Sequence, residues 1–162
     1  MFYPGSSICN FTPADALRFL RQVHANSHGG GLLIGVDLVK PRDVLELAYD
    51  DLLQVTAAFN RNLLRNLQRL TGADFSIANW KHVAFFEAVA SRIEMHLEAR
   101  RDVTVRWPEG ERHFVAGQRI HTENSYKWRL DNFAALLKEA GFRDLRHWTD
   151  ERGWFAVFLA AA

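Results

Sequence analysis

The chain has 162 residues, of which 48% are hydrophobic and 24% charged, and 20 basic against 19 acidic side chains leave a net charge of +1. This composition is typical of a globular protein with one sizeable core, and the balanced charge argues against binding to nucleic acid or to a membrane surface. A single cysteine excludes an intramolecular disulfide, and no segment has the pattern of a membrane-spanning helix or a signal peptide, so we expect a cytoplasmic protein.

The first elements in chain order are a strand end, a helix and a strand. Residues 1–3 are apolar and stop at a Pro-Gly pair, so we interpret them as the end of a strand whose beginning lies outside the chain. Thr12 and Pro13 predict a helix start, as N-cap and first helical residue, and the helix is expected to end before Gly29. Residues 32–39 are almost continuously apolar, which is typical of a strand covered on both faces.

The remaining elements are predicted from the spacing of apolar residues, which changes along the chain from that of helices to that of strands. An apolar residue every three or four positions predicts one long helix or two consecutive helices between Pro41 and Thr71, closed by Gly72. Alternation of apolar and charged residues predicts an antiparallel strand pair over residues 91–107. The other predicted elements are an extended stretch over residues 112–120, a helix over 131–140 and a terminal antiparallel strand pair over 142–159.

This order of elements predicts an α/β fold. A strand, helix, buried strand and helix come first, an antiparallel insertion follows, and a helix and a hairpin end the chain. Such an order is expected of a parallel sheet that carries an added sheet and an antiparallel edge.

The loop from Gly5 to Asn10 has three interpretations. It partly matches the nucleophile elbow G-x-S-x-G, with Ser7 as the nucleophile of a hydrolase. A strand-to-helix loop is also a place where backbone N–H groups and the Asn10 amide could hold a carboxylate. The third interpretation is a plain turn.

Three other features bear on ligand binding. The seven histidines show no metal-ligand spacing, so no metal site is expected. Gly29-Gly30-Gly31 follows a helix and precedes a strand, the reverse of a phosphate-binding loop. The polar stretch from His121 to Trp128 is either a helix-capping loop or an extended loop in which Glu123 and Ser125 offer two acceptors to an imidazole.

Six segments, in order, resemble the histidine-specific, S-adenosylmethionine-dependent methyltransferases of ergothioneine biosynthesis. The resemblance runs from about Tyr3 to Leu159, with Cys9 where the family is expected to have glycine and Trp128 in place of tyrosine or phenylalanine. The segments are Pro4–Phe11, Gly35–Lys40, Ala48–Asp51, Val55–Asn60, Ser91–Leu97 and His121–Lys127.

The resemblance implies the C-terminal part of a class I, Rossmann-like methyltransferase sheet. Residues 1–72 and 129–162 would form that α/β part, including the terminal hairpin, and residues 73–128 an inserted, antiparallel β-rich substrate-binding lobe. The implied reaction is methylation of the α-amine of L-histidine to hercynine, with S-adenosylmethionine as methyl donor. The cofactor-binding residues of this chain are unknown, because the family's cofactor motif is expected upstream of Met1. The chain alone should therefore be inactive.

The resemblance also implies which residues touch the substrate. None of them is a nucleophile or a base, because methyl transfer from a sulfonium to a neutral amine depends on positioning. The implied contacts are Asn10 and Tyr49 to the carboxylate and amine, the Gly5 backbone nearby, Phe59 and Met95 along the pocket, and Glu123 and Ser125 to the imidazole.

Two alternatives remain open from the sequence. The chain could be a truncated, non-catalytic binding module of the same fold, or part of a methyltransferase for a different amino acid or amine. If neighbouring strands are missing, an exposed sheet edge would offer a surface for self-association.

Overall fold

The computed structural model describes residues 1–162. In it, two 3-10 turns, Ser7–Asn10 and Ile77–Asn79, accompany nine strands and four α-helices. No helix is both long and apolar enough to cross a membrane. In chain order the elements are β1 (Phe2–Tyr3), α1 (Pro13–Ala25), β2 (Gly31–Asp37), α2 (Arg42–Tyr49), α3 (Val55–Thr71), β3 (Trp80–Glu87), β4 (Arg92–Ala99), β5 (Val103–Trp107), β6 (Gly110–Phe114), β7 (Arg119–Tyr126), α4 (Leu130–Glu139), β8 (Arg143–Thr149) and β9 (Phe155–Ala161).

Contacts between residues divide the chain into two compact units. The first unit comprises residues 1–41, 87–92 and 124–162, and the second comprises residues 42–86 and 93–123.

The first unit contains a four-stranded sheet with the strand order β1-β2-β9-β8. β1 runs parallel to β2, with Phe2 opposite Leu33, which confirms that the first residues form a short strand. β9 runs antiparallel to both β2 and β8. The terminal hairpin is therefore confirmed, and the buried strand β2 has one parallel and one antiparallel neighbour.

The core of the first unit lies between this sheet and the helices α1 and α4. Thr12 caps α1 by accepting a hydrogen bond from the Asp15 N–H at 3.1 Å, and Pro13 is the first helical residue, as the sequence predicted. Ala16, Leu20 and Val23 of α1 then share one buried face. These residues join α4 and the sheet in one apolar cluster, whose fully buried side chains include Leu32, Ile34, Val36, Phe133, Leu137 and Phe158.

The second unit begins with two helices rather than one. α2 ends at Tyr49, and α3 begins at Val55 after Gln54 adopts a left-handed conformation. The Asp51 carboxylate accepts hydrogen bonds from the N–H groups of Val55 and Thr56, at 3.0 and 2.8 Å, and so satisfies two of the free donors at the start of α3. Gly72 closes α3 in a left-handed conformation, as predicted.

The Asp51 cap predicts a pH dependence of stability. Hydrogen bonds from the Thr56 and Val55 N–H groups lower the pKa of Asp51 from 3.8 to about 2. Because the folded-state pKa is depressed, the stabilisation is complete above the unfolded pKa of 3.8 and is lost as the pH falls through about 2. We therefore expect Asp51→Asn to lower the melting temperature at pH 7 and to reduce its fall between pH 4 and 2. If the melting temperatures of the two proteins fell equally between pH 4 and 2, Asp51 would not be the cause of this pH dependence.

The strands of the second unit pair differently from the sequence prediction. β4 lies between β3 and β7 in a three-stranded sheet, whereas β5 pairs with β6 in a separate antiparallel ribbon. The predicted strand pair over residues 91–107 is therefore wrong in its pairing, although both strands exist. β7 extends through residues 119–126, so the polar stretch after His121 is mainly strand rather than loop, and β3 was not predicted.

The contact units group one segment differently from the expected domains, whose boundaries stay a prediction. Residues 42–72, which we placed with the α/β part, group with the second unit. The reason is packing: Leu64 of α3 joins Trp80 and Leu97 in one apolar cluster, and Leu45 of α2 joins Ile93 and Met95 in another. The identification of residues 73–128 as a substrate-binding lobe stays a prediction.

Candidate functional site

Three of the residues assigned to the substrate lie in the first unit: Gly5, Asn10 and Ser125. Gly5 follows β1 with φ +63°, a conformation that favours glycine. Its carbonyl oxygen lies so close to Gly35 of β2 that a Cβ atom built there would be 2.5 Å away. The turn after β1 is therefore pressed directly against the backbone of β2.

Met1, ahead of which the cofactor motif is expected, lies beside β2. Its carbonyl oxygen accepts a hydrogen bond from the Leu33 N–H at 3.0 Å, and its side chain is largely exposed. The structure thus places Met1 in the backbone pairing of the sheet. The expected position of the cofactor motif, upstream of Met1, stays a prediction.

Asn10 ends the 3-10 turn and is exposed, whereas its neighbour Cys9 is completely buried. Burial raises the pKa of the Cys9 thiol to about 11, and a hydrogen bond from the Asp37 backbone and the nearby charge of Lys127 offset this only in part. Cys9 is not among the residues with positive φ, so the conformation of the turn does not require the expected glycine. The turn also separates Ser7 from α1, unlike a nucleophile elbow, which leads directly into its helix.

Ser125 is buried near the end of β7. Its hydroxyl oxygen accepts a hydrogen bond from the ammonium group of Lys127 at 2.7 Å. Ser125 thus belongs to a buried polar network, which its position in a polar sequence stretch did not indicate.

The centre of that network is Asp37, the last residue of β2. Its carboxylate binds the ammonium groups of Lys40 at 2.6 Å and Lys127 at 2.8 Å. The sequence alone suggested no role for any of these three residues. Asp37 and Lys127 are far apart in the chain, but both lie in segments that carry the family resemblance, which was the available signal.

The other four assigned residues, Tyr49, Phe59, Met95 and Glu123, lie in the second unit. Tyr49 packs against an apolar cluster that contains Met95, which is 3% exposed. The Thr122 hydroxyl donates to the Met95 carbonyl at 2.9 Å and links β7 to β4. The structure therefore brings Tyr49 and Met95 together.

Phe59 and Glu123 line a cleft of about 160 Å³ between α3 and the middle of β7. Phe59 is 69% exposed, a large apolar ring at the protein surface. The cleft thus combines an aromatic ring and a carboxylate, a pair of groups suited to a flat, polar ring such as imidazole. Its other lining residues are Asn60, Asn62, Leu63, Asn66 and Thr122.

Beside these residues, His82 is held between a side chain and a backbone carbonyl. The Asn60 amide lies 2.9 Å from Nδ1 of His82, and Nε2 of the same ring lies 2.8 Å from the Tyr49 carbonyl. The Asn60 amide also donates to the His96 carbonyl at 3.1 Å. These hydrogen bonds join α2, α3, β3 and β4, and they fix the backbone of Tyr49.

Glu94, His96 and His121 form a polar cluster that the sequence pattern did not reveal. Their possible metal-binding atoms lie within 4.8 Å of one another. Nε2 of His96 is hydrogen-bonded to Glu94 at 2.9 Å, and its ring stacks on those of Phe85 and His121. Burial is the main cause that lowers the pKa of His96, so the ring is neutral at pH 7.

The three side chains of this cluster are held by contacts with one another. A ring that is stacked on both faces and hydrogen-bonded through Nε2 is also constrained against turning toward an ion. The expected absence of a metal stays a prediction.

Comparisons with known proteins give the family. The family model described as "Histidine-specific methyltransferase, SAM-dependent" matches residues 1–162. The chain is 44% identical over 159 residues to a histidine N-alpha-methyltransferase of Mycolicibacterium smegmatis and 42% identical over 160 residues to that of Mycobacterium tuberculosis, and the matches cover 96% and 97% of the chain. It is also 29% identical over 154 residues, 92% of the chain, to the N-methyltransferase imqF of Aspergillus flavus.

The lengths of these proteins bear on how much of a site the chain can hold. The chain spans 50% of the length of each mycobacterial protein and 42% of that of the Aspergillus protein. The family match, in contrast, runs through every segment that holds an assigned substrate residue. The chain belongs to the family of histidine-specific, S-adenosylmethionine-dependent methyltransferases.

Proposed function

We propose that the complete protein transfers methyl groups from S-adenosylmethionine to the α-amine of L-histidine and that this chain supplies most of the histidine-binding residues. The observation that carries the proposal is the family match over residues 1–162. The cleft that places the Glu123 carboxylate beside the exposed Phe59 ring supports it. In relatives with this activity by name, the matched region extends over almost the whole chain.

In the proposed complex, each assigned residue has one role. Glu123 accepts a hydrogen bond from an imidazole N–H, and the buried Ser125 hydroxyl binds the same ring. Specificity for histidine then follows, because an apolar amino acid has no ring N–H to donate to the Glu123 carboxylate. The Asn10 amide, the Gly5 backbone and Tyr49 would bind the carboxylate and amine, while Phe59 and Met95 would line the pocket.

The proposed methyl transfer requires a correctly positioned amine and does not require a covalent intermediate with the protein. S-adenosylmethionine supplies an electrophilic methyl group, and the accepting amine must be neutral and in line at about 3 Å from it. The residues of this chain would bind, orient and partly desolvate the amino acid. None of them is required as a nucleophile.

No residue of this chain is assigned to the cofactor. Gly29-Gly30-Gly31 leads from α1 into β2, whereas a glycine-rich cofactor loop leads from a strand into a helix. These glycines therefore do not fit the family's cofactor motif. We propose that this motif belongs to a part of the complete protein upstream of Met1.

The decisive experiment is an assay of the complete gene product with L-histidine and S-adenosylmethionine. We expect mass spectrometry to show successive addition of three methyl groups to the α-amine, and residues 1–162 alone to give no product. Methylation of another amine under the same conditions, with none of histidine, would refute the substrate assignment.

The alternatives predict different results. A methyltransferase for another amine, a possibility raised by the resemblance to the Aspergillus N-methyltransferase, would turn over a different acceptor in the same assay. A non-catalytic binding module would bind histidine in calorimetry without any turnover.

We further propose that the protein acts in the cytoplasm on a small-molecule substrate, without nucleic acid or membrane partners. An exposed sheet edge would be its surface for self-association.

A further inference from the structure

Lys127 has a completely buried side chain, and two of its polar partners, Asp37 and Ser125, lie with it in the first unit. Its Nζ lies 2.8 Å from the Asp37 carboxylate and donates to the Ser125 hydroxyl at 2.7 Å. A buried ammonium group is costly unless it is paired and hydrogen-bonded, and both conditions are met here. An ammonium group only donates, so it fixes the Ser125 oxygen as an acceptor on that side.

The backbone of Lys127 is held as firmly as its side chain. Its N–H donates to the Ser91 carbonyl at 2.7 Å, and its carbonyl accepts from the Ser91 hydroxyl at 2.8 Å. The next N–H, that of Trp128, donates to the Asp37 carbonyl at 3.0 Å. Lys127 therefore enters the protein interior from a fixed point beside the end of β2.

Asp37 extends this network to the turn that carries Asn10. It ends β2, the strand against which this turn packs, and Cys9, the residue before Asn10, lies in one apolar cluster with Val36 of β2. The Asp37 carboxylate also binds Lys40, so it keeps a cationic partner if Lys127 is lost. The network thus connects two parts of the proposed substrate site, Ser125 and Asn10, through Asp37.

We propose that Lys127 is a positioning residue for histidine recognition, which holds the Ser125 hydroxyl in place and ties it through Asp37 to the Asn10 turn. This inference rests on the proposed function. Lys127 acts through Ser125 and does not itself need to touch the substrate. Its loss should therefore weaken histidine binding more than it slows the methyl transfer of bound histidine.

The test compares Lys127→Met with Lys40→Met in the complete gene product. Both lysines bind the Asp37 carboxylate, but only Lys127 contacts Ser125. We expect Lys127→Met to raise the KM for histidine about 10- to 100-fold, with kcat and the KM for S-adenosylmethionine changed less than about threefold. Lys40→Met should change the KM for histidine less than about threefold.

A double-mutant cycle separates positioning from general damage to the fold. In a Ser125→Ala background, Lys127→Met should add less than about threefold to the KM for histidine, because its effect passes through the missing hydroxyl. Equal effects of the two lysine variants, or full additivity of Lys127→Met with Ser125→Ala, would overturn the proposal. If Lys127→Met does not fold, Lys127→Gln, whose uncharged and shorter side chain weakens the contact with Ser125, takes its place in the cycle.

A measurement without substrate distinguishes failure of this inference from failure of the proposed function. Hydrogen exchange at residues 125–128 should be faster in the Lys127 variant than in Lys40→Met. Unchanged exchange would overturn the positioning role whatever the substrate. Faster exchange in a protein that does not methylate histidine would refute the proposed function and keep the structural role of Lys127.

Discussion

Glu123→Ala in the complete gene product is expected to lower kcat/KM for histidine by about 100- to 1,000-fold. The reason is the loss of a carboxylate that accepts a hydrogen bond from the imidazole; leaving a buried donor without a partner costs a few kcal/mol, and about 1.4 kcal/mol corresponds to a tenfold change. The fold should persist because Glu123 lines a cleft and is not part of an apolar cluster. Steady-state kinetics with thermal melts of both proteins measure the effect.

Two controls sharpen this test. Glu123→Gln keeps one acceptor oxygen, so it should retain more activity on histidine than the alanine variant. Glu109→Ala removes an exposed carboxylate from a turn and should leave the kinetics unchanged. A loss of less than tenfold for Glu123→Ala would mean that another group selects the substrate.

Gly35→Ala is expected to lower the free energy of unfolding by about 3 kcal/mol, which corresponds to a melting temperature lower by about 6–12 °C. A Cβ atom on Gly35 would lie 2.5 Å from the Gly5 carbonyl oxygen and 2.7 Å from the ring of Phe155. The ring can turn, but the Gly5 carbonyl is held by the turn after β1. The backbone must therefore move, and the Asn10 turn moves with it.

Gly110→Ala is the matched control for Gly35→Ala. A Cβ atom on Gly110, also in a strand, would meet only the Trp107 side chain at 3.5 Å or more, and Gly110 has no positive φ. We expect it to change the unfolding free energy by less than about 0.5 kcal/mol. Denaturant titrations of the two variants in parallel measure the difference. If Gly35→Ala changed the unfolding free energy as little as Gly110→Ala, the close approach of the Gly5 turn to β2 would be wrong.

The elements that the sequence predicted well are those whose signals are local. The Thr12 cap, Pro13 and the apolar face of α1 are set by neighbouring residues, and the same is true of the glycine that closes α3. The terminal hairpin also follows from adjacent residues. These predictions are confirmed because short-range geometry alone determines them.

The failures concern contacts between residues that are distant in the chain. β4 was expected to pair with the next strand, yet it lies between β3 and β7, and alternation along one strand carries no information about its partner. β3 was missed because most of its residues are half-buried on both faces and show no alternation. β7 carries the polar residues from His121 to Ser125, which hid its extended structure.

In the candidate site, too, sequence motifs supplied the residues, whereas contacts between residues distant in the chain needed the structure. Family resemblance supplied residue assignments, which remain predictions, while the structure supplied the shared cleft of Phe59 and Glu123. Lys127 and Asp37 could not be paired from the sequence, since lysine and aspartate are usually solvated and unpaired at such a separation. Their pairing depends on the backbone bonds that bring residue 128 beside β2.

Because Cys9 is buried, the rate at which its thiol is alkylated reports how often the first unit opens. With a pKa of about 11, only about one thiol in ten thousand is ionised at pH 7, and the sulfur is shielded from solvent. Alkylating reagents therefore reach it when the first unit opens. Because it is the only cysteine in the chain, the labelling rate under native conditions gives the free energy of that opening without an added probe.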